Sequence, residues 1–203
     1  MFKILLLTLG VAVAAGWVAG GRLRRLSDLH FKGVPILLGS LVVALLPLFV
    51  EIGDRGARVL SGVANLVVIG FLAVNVRTHR GAVRAGIAVM MLGWMLNAIV
   101  ITANGGMPLS PWAYEQSGQS VTTDPITAGQ DGFYKIVLAG KGTWLRELGD
   151  VIPIRAIVQV VSIGDLLIVA GIDGVIIAAM RRKPETDALK TGNPAAGEEA
   201  TGT

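Results

Sequence analysis

Two aspartates, Asp165 and Asp173, stand within VSIGDLLIVAGIDGVIIAAM (161–180), a stretch apolar enough to cross a membrane. A carboxylate at membrane depth is costly. It therefore either joins an interhelical hydrogen-bond network or serves a proton, a cation or a polar ligand. At 100° per residue, Gln159, Ser162, Asp165 and Asp173 fall within an arc of roughly 120° on a helix through this stretch. Asparagines recur in two further apolar stretches. Asn97 and Asn104 are seven residues apart and share a face, as do Ser61, Asn65 and Asn75. Two polar layers are expected from these depths: an outer Asn65–Asn97–Asp165 cluster and an inner Asn75–Asp173 pair. Asparagine bridges helices well and cannot exchange protons. The structural reading is a network worth roughly 0.6–2 kcal/mol per contact; the functional one is a proton, cation or ligand route.

The elements that must position these groups are apolar runs. Of the 203 residues 53% are hydrophobic and only 16% charged, well below the roughly 25% charged of soluble domains. Runs at about 4–20, 33–50, 59–76, 85–103 and 157–180 each have the length that crosses a ~30 Å hydrocarbon core. The expected fold is an all-α polytopic membrane helical bundle of five transmembrane helices forming one domain over 1–180.

The net charge of +4 does not point to nucleic acid, because the basic residues flank the runs. Arg22, Arg24, Arg25 and Lys32, then Arg77, Arg80 and Arg84, then Arg181, Arg182 and Lys183 fall on one side if all five runs span. Only Lys3, Arg55 and Arg58 occupy the opposite short segments. The positive-inside bias places the N-terminus outside and the C-terminus in the cytoplasm. The first run also has a rival reading as a signal peptide, with small residues at Ala12–Ala15 as the cleavage region.

On the last run, Val161, Ile168, Ile172 and Val175 form an apolar side expected to face lipid. Gly164, Gly171 and Gly174 form a smooth side suited to close helix approach. Residues 104–156 make an outer loop, irregular through SGQSVTTDPITAGQDG, with Phe133, Tyr134 and Trp144 suited to headgroup depth. That loop is a lid packed on the bundle, or alternatively a ligand-recognition loop. Pro47 should kink the second run. Residues 181–203 read as a disordered cytoplasmic tail.

No cysteine occurs, which removes disulfides and thiolate chemistry. His30 and His79 are the only histidines, both between runs, so an in-membrane bis-histidine haem site is excluded. Dinucleotide, P-loop, zincin and nucleophile-elbow motifs are absent. No catalytic residue, metal site or cofactor is expected.

The segments NAIVITANGGMPLSPWAY (97–114), ELGDVIPI (147–154) and VSIGDLLIVAGI (161–172), in that order, resemble a bacterial multi-pass membrane family known only as a domain of unknown function. The resemblance covers about residues 20–180, outside 117–143. It implies that Asn97, Asn104, Gly105, Gly106, Met107, Pro108, Gly149, Asp150, Ser162, Gly164 and Asp165 are motif positions in a five-span architecture. It brings no activity, substrate or cofactor. A polar cap follows as an expectation, in which the NGG turn donates hydrogen bonds to Asp150 and Asp165; its rival is a shallow outward-facing pocket built from the same residues.

The leading functional expectation is a non-enzymatic accessory or assembly subunit of a bacterial cytoplasmic membrane. Its partners would be the bilayer, with other membrane proteins or a second copy. One alternative is an oligomeric transporter or channel subunit using Asp165 and Asp173. The other is an enzyme on a lipid or isoprenoid group with Asp150 and Asp165 as paired carboxylates.

Overall fold

The computed structural model describes residues 2–45, 53–119, 130–131 and 134–182. The expectations for Pro47, for most of the 117–132 stretch and for the tail beyond Arg182 lie outside these residues. Where the sequence runs apolar without interruption, helices form: α1 (Phe2–Val18), α2 (Val34–Leu45), α3 (Asp54–Thr78), α4 (Gly81–Asn104) and α6 (Ile163–Arg181), with a six-residue α5 (Pro111–Gln116) between the last two. Among the described residues three helical stretches, Val59–Thr78, Gly81–Asn104 and Ile163–Arg181, are long and apolar enough to cross a membrane. α1 and α2 are shorter apolar helices of 17 and 12 residues.

α1, α2, α3, α4 and α6 form a row rather than a closed bundle. α3 packs between α2 and α4, and α6 packs between α4 and α1. The seam between α4 and α6 is the most extensive contact in the molecule. Small residues explain it. A Cβ on Gly171 would lie 2.6 Å from Gly86 O and Met90 N, and one on Gly93 would lie 2.5 Å from Gly164 O. Backbone therefore meets backbone at two levels, seven residues apart on each helix. Close van der Waals contact of this kind, backbone against backbone, holds the two helices together.

Three apolar clusters lie along the row. Leu72, Val83, Ile87 and Val175 join α3, α4 and α6 at the end where the arginines collect. At the other end Ile4 of α1, Val161 and Val169 pack beneath the 104–161 segment. Leu109, Ala113 and Val160 form a small core inside that segment.

The described parts of the 104–161 segment carry short strands, and the described chain is mostly but not wholly helical. Strand β1 (Met107–Leu109) pairs in parallel with β3 (Tyr134–Leu138), and β3 also pairs with β2 (Gln130–Asp131). Strands β4 (Ile152–Ile154) and β5 (Gln159–Val161) form an antiparallel pair. This small cap sits on one end of the row. The run expected as a helix over 157–180 therefore begins only at Ile163. Alternation in β5 sends Val160 to the core inside the cap and Val161 to the core over α1 and α6.

The lipid-facing assignment on α6 is also corrected. Val161, Ile168 and Val175 are buried and Ile172 is partly covered, because α6 is flanked by α4 and α1. Its uncovered stripe is Ile163, Leu166 and Ala170. The glycine side does meet a neighbouring helix, since Gly164 and Gly171 lie against α4.

Candidate functional site

β5 enters α6 through Ser162, which is extended (φ −93°, ψ 168°) and caps the helix. Its Oγ accepts from the Asp165 N–H at 2.9 Å, while its own N–H donates to Asp165 Oδ2 at 3.3 Å. This reciprocal arrangement is a capping box with aspartate in the third position. Asn97 reaches it from α4. Its Nδ2 donates to Asp165 Oδ1 at 2.8 Å, and its Oδ1 accepts from Ser162 Oγ at 3.0 Å. Asn97, Ser162 and Asp165 thus close a ring across two helices, all three buried.

Each oxygen of the Asp165 carboxylate has a donor. The carboxylate also lies in the first turn of α6, where the helix dipole favours negative charge. Gly164 leaves the space in which the Asn97 amide sits; a Cβ there would collide with Asn97 Oδ1. As built, the junction is a filled strut. It has neither an idle donor set around Asp165 nor room for a substrate beside Gly164.

The remaining motif residues build the cap. Gly105 (φ 69°) ends α4 in the left-handed conformation, and the Gly106 N–H donates back to Ile101 O. Asn104 ties the segment down by accepting from the Trp144 N–H and donating to Trp144 O, both at 2.9 Å. Met107 and Pro108 are fully buried. Opposite them the Asp150 N–H donates to Pro108 O at 2.7 Å, and Ser110 N–H donates to Asp150 O. A Cβ on Gly149 would come within 2.5 Å of Pro108 O. The GD pair is therefore a close strap across β1. The NGG turn does not supply the donors to the Asp165 carboxylate; Asn97 and Ser162 do.

Neither expected polar layer assembles as drawn. Asn65 accepts from Trp94 Nε1 at 2.9 Å and donates to Ser61 O, so it links α3 to α4 and stays out of the Asp165 ring. The reason is the row: α4 stands between α3 and α6. Asn75, completely buried, clamps the chain ahead of α2, accepting from Lys32 N–H at 2.9 Å and donating to Lys32 O at 3.0 Å. Phe31 packs beside it against Phe71 and His79. Asp173 is partly covered, and neither Asn75 nor an arginine bonds to it among the described residues. Gln159 lies on β5, not on the α6 face that carries Asp165.

Trp94 and the Lys32 backbone were not anticipated as partners. An indole N–H within a long apolar helix needs an acceptor, and that signal is present at Trp94. Nothing in residue type marks Lys32. Between α3 and α4 an open groove of about 450 Å³ is lined by Ile69, Met95, Ala98, Ile99, Thr102 and Ala103. Its Thr102 hydroxyl is bonded to Ala98 O. Among the described residues no group of three or more histidine, aspartate or glutamate side chains could hold a metal ion.

A family model described as a family of unknown function, DUF5317, matches residues 28–177, and the chain belongs to that family. The match contains the whole ring and the whole cap, and runs from just before α2 through most of α6. No curated protein and no solved structure matches the chain.

Proposed function

We propose that this member of a family of unknown function is a five-span protein of a bacterial cytoplasmic membrane, N-terminus outside, that works without catalysis as an accessory or assembly subunit. Its cap lies on the outer face and its arginine-rich end in the cytoplasm. The observation that carries this reading is the closed Asn97–Ser162–Asp165 ring. The acid in the centre of the motif region is consumed by two donors from the fold itself. The glycine contacts beside it hold α4 against α6, and Gly164 gives its space to the Asn97 amide. Motif residues outside the ring serve to end a helix or to strap the cap, which is what an assembly module requires of them.

One observation favours a second reading, an oligomeric transporter or channel subunit. Asp173 lies beside the uncovered Leu166–Ala170 stripe of α6, and one of its buried carboxylate oxygens has no hydrogen-bond partner among the described residues. Capture of the tagged chain from native membranes, paired with flux assays in proteoliposomes, separates the two. The accessory reading predicts a stoichiometric protein partner retained in Asp173→Asn and no proton or cation flux. Flux abolished by Asp173→Asn would overturn it.

A further inference from the structure

At the end of the row opposite the cap, the turn after α1 is built onto the C-terminus of α6. A Cβ on Gly16 would meet Met180 Sδ at 2.6 Å, and one on Gly21 would meet Met180 Cβ at 2.8 Å. Gly20 takes φ 78°, which lets the chain reverse there. Two groups then close the last turn of α6 by donating to Met180 O: the Arg22 N–H at 2.9 Å and Arg25 Nη1 at 3.2 Å. The consequence is convergence. The 3-10 turn Leu23–Asp28 packs on α6, so Arg22, Arg24 and Arg25 gather beside Arg181 and Arg182. Four of these five are exposed, and none is in an ion pair among the described residues. Beside them the last turn of α1 exposes Trp17 (74%) and Val18 (85%), an aromatic–apolar rim of the type that settles at headgroup depth.

We infer that this corner is a docking site for the phosphate headgroups of acidic phospholipids, with Arg22, Arg24, Arg181 and Arg182 as phosphate donors and Trp17 anchoring at the interface. Arginine fits phosphate oxygens with paired N–H donors and holds its charge at the membrane surface. Arg25 is left out of the donor set because it is engaged on Met180 O. The inference rests on the membrane reading above and adds a lipid class to it. It also differs from a general basic belt, because the α1–α6 contacts gather these arginines into one cluster.

The test is native mass spectrometry of the full chain released from lipid nanodiscs containing phosphatidylcholine and phosphatidylglycerol. The expected result is retained phosphatidylglycerol, undisplaced by inorganic phosphate. Each arginine near an acidic surface contributes a factor of about five, so Arg22→Gln with Arg24→Gln should weaken retention by at least ~10-fold. Arg77→Gln with Arg80→Gln, at the α3–α4 junction outside the cluster, should weaken retention at least about fivefold less than the Arg22–Arg24 pair. Equal losses from the two pairs, or displacement by inorganic phosphate, would overturn the docking site. Failure of the unaltered chain to enter nanodiscs would overturn the membrane reading with it.

Discussion

Replacing Gly171 by alanine tests the α4–α6 seam where backbone meets backbone. The added methyl would stand 2.6 Å from Gly86 O and Met90 N and 2.7 Å from Met90 Cβ. Ordinary contact begins at 3.4 Å, so each clash is about 0.8 Å deep. Two of the three atoms are backbone and cannot rotate away. The helices must therefore separate along the seam, which loosens the Gly93–Gly164 contact one level away as well. Overpacking of this kind costs about 1–3 kcal/mol, and the backbone clash places Gly171→Ala at the upper end. Gly70 on α3 serves as the matched control, since a Cβ there has nothing within 4 Å. Gly70→Ala should gain up to ~1 kcal/mol from helix propensity. The assay is reversible unfolding in mixed micelles followed by circular dichroism. A Gly171→Ala cost below about 0.5 kcal/mol, or an equal cost for Gly70→Ala, would refute the packing argument.

Three other outcomes follow from named contacts. Asn75→Ala removes both bonds to the Lys32 backbone, worth about 2 kcal/mol together, and should speed hydrogen exchange at the Lys32 amide about 30-fold; unchanged protection would refute the clamp. Val158 is β-branched at φ 51° and half exposed, so Val158→Gly should raise the melting temperature by relieving about 1 kcal/mol of backbone strain, and a drop would count against that geometry. Reporters fused after Arg25 and after Arg80 should both give cytoplasmic signals and one within 120–129 an external signal, the reverse pattern contradicting the proposed orientation.

The sequence was most legible where one physical rule acted alone. Length and hydropathy located α3, α4 and α6, and glycine spacing identified the side of α6 that meets α4. The misreadings have definite causes. Residues 157–162 read as part of the last helix from sequence because a short apolar run does not distinguish strand from helix. Yet the S-x-x-D signature of a capping box at Ser162–Asp165 was present and marks the true helix start. Ile168 and Val175 were assigned to lipid because in a membrane helix an apolar residue suits a neighbouring helix as well as it suits acyl chains. Asn65 and Asn75 were assigned wrong partners because depth along a helix can be counted from the sequence, whereas neighbour order in the row cannot. Asn97, Ser162 and Asp165 each stand out in the sequence as polar groups within apolar runs. Their closure into one ring depends on the glycine seam, which sets how near α4 stands to α6.

The central claim is that Asp165 belongs to a structural ring and is not held ready for chemistry. A double-mutant cycle on Asn97→Ala and Asp165→Ala, measured by unfolding in mixed micelles, tests it most directly. Asp165→Ala should cost about 2–4 kcal/mol, from the lost cap and a stranded Asn97 amide. The account predicts a coupling of about 0.6–1.7 kcal/mol, the double variant being less destabilised than the sum of its singles. Additivity within about 0.3 kcal/mol, or a more stable protein in Asp165→Ala, would contradict it.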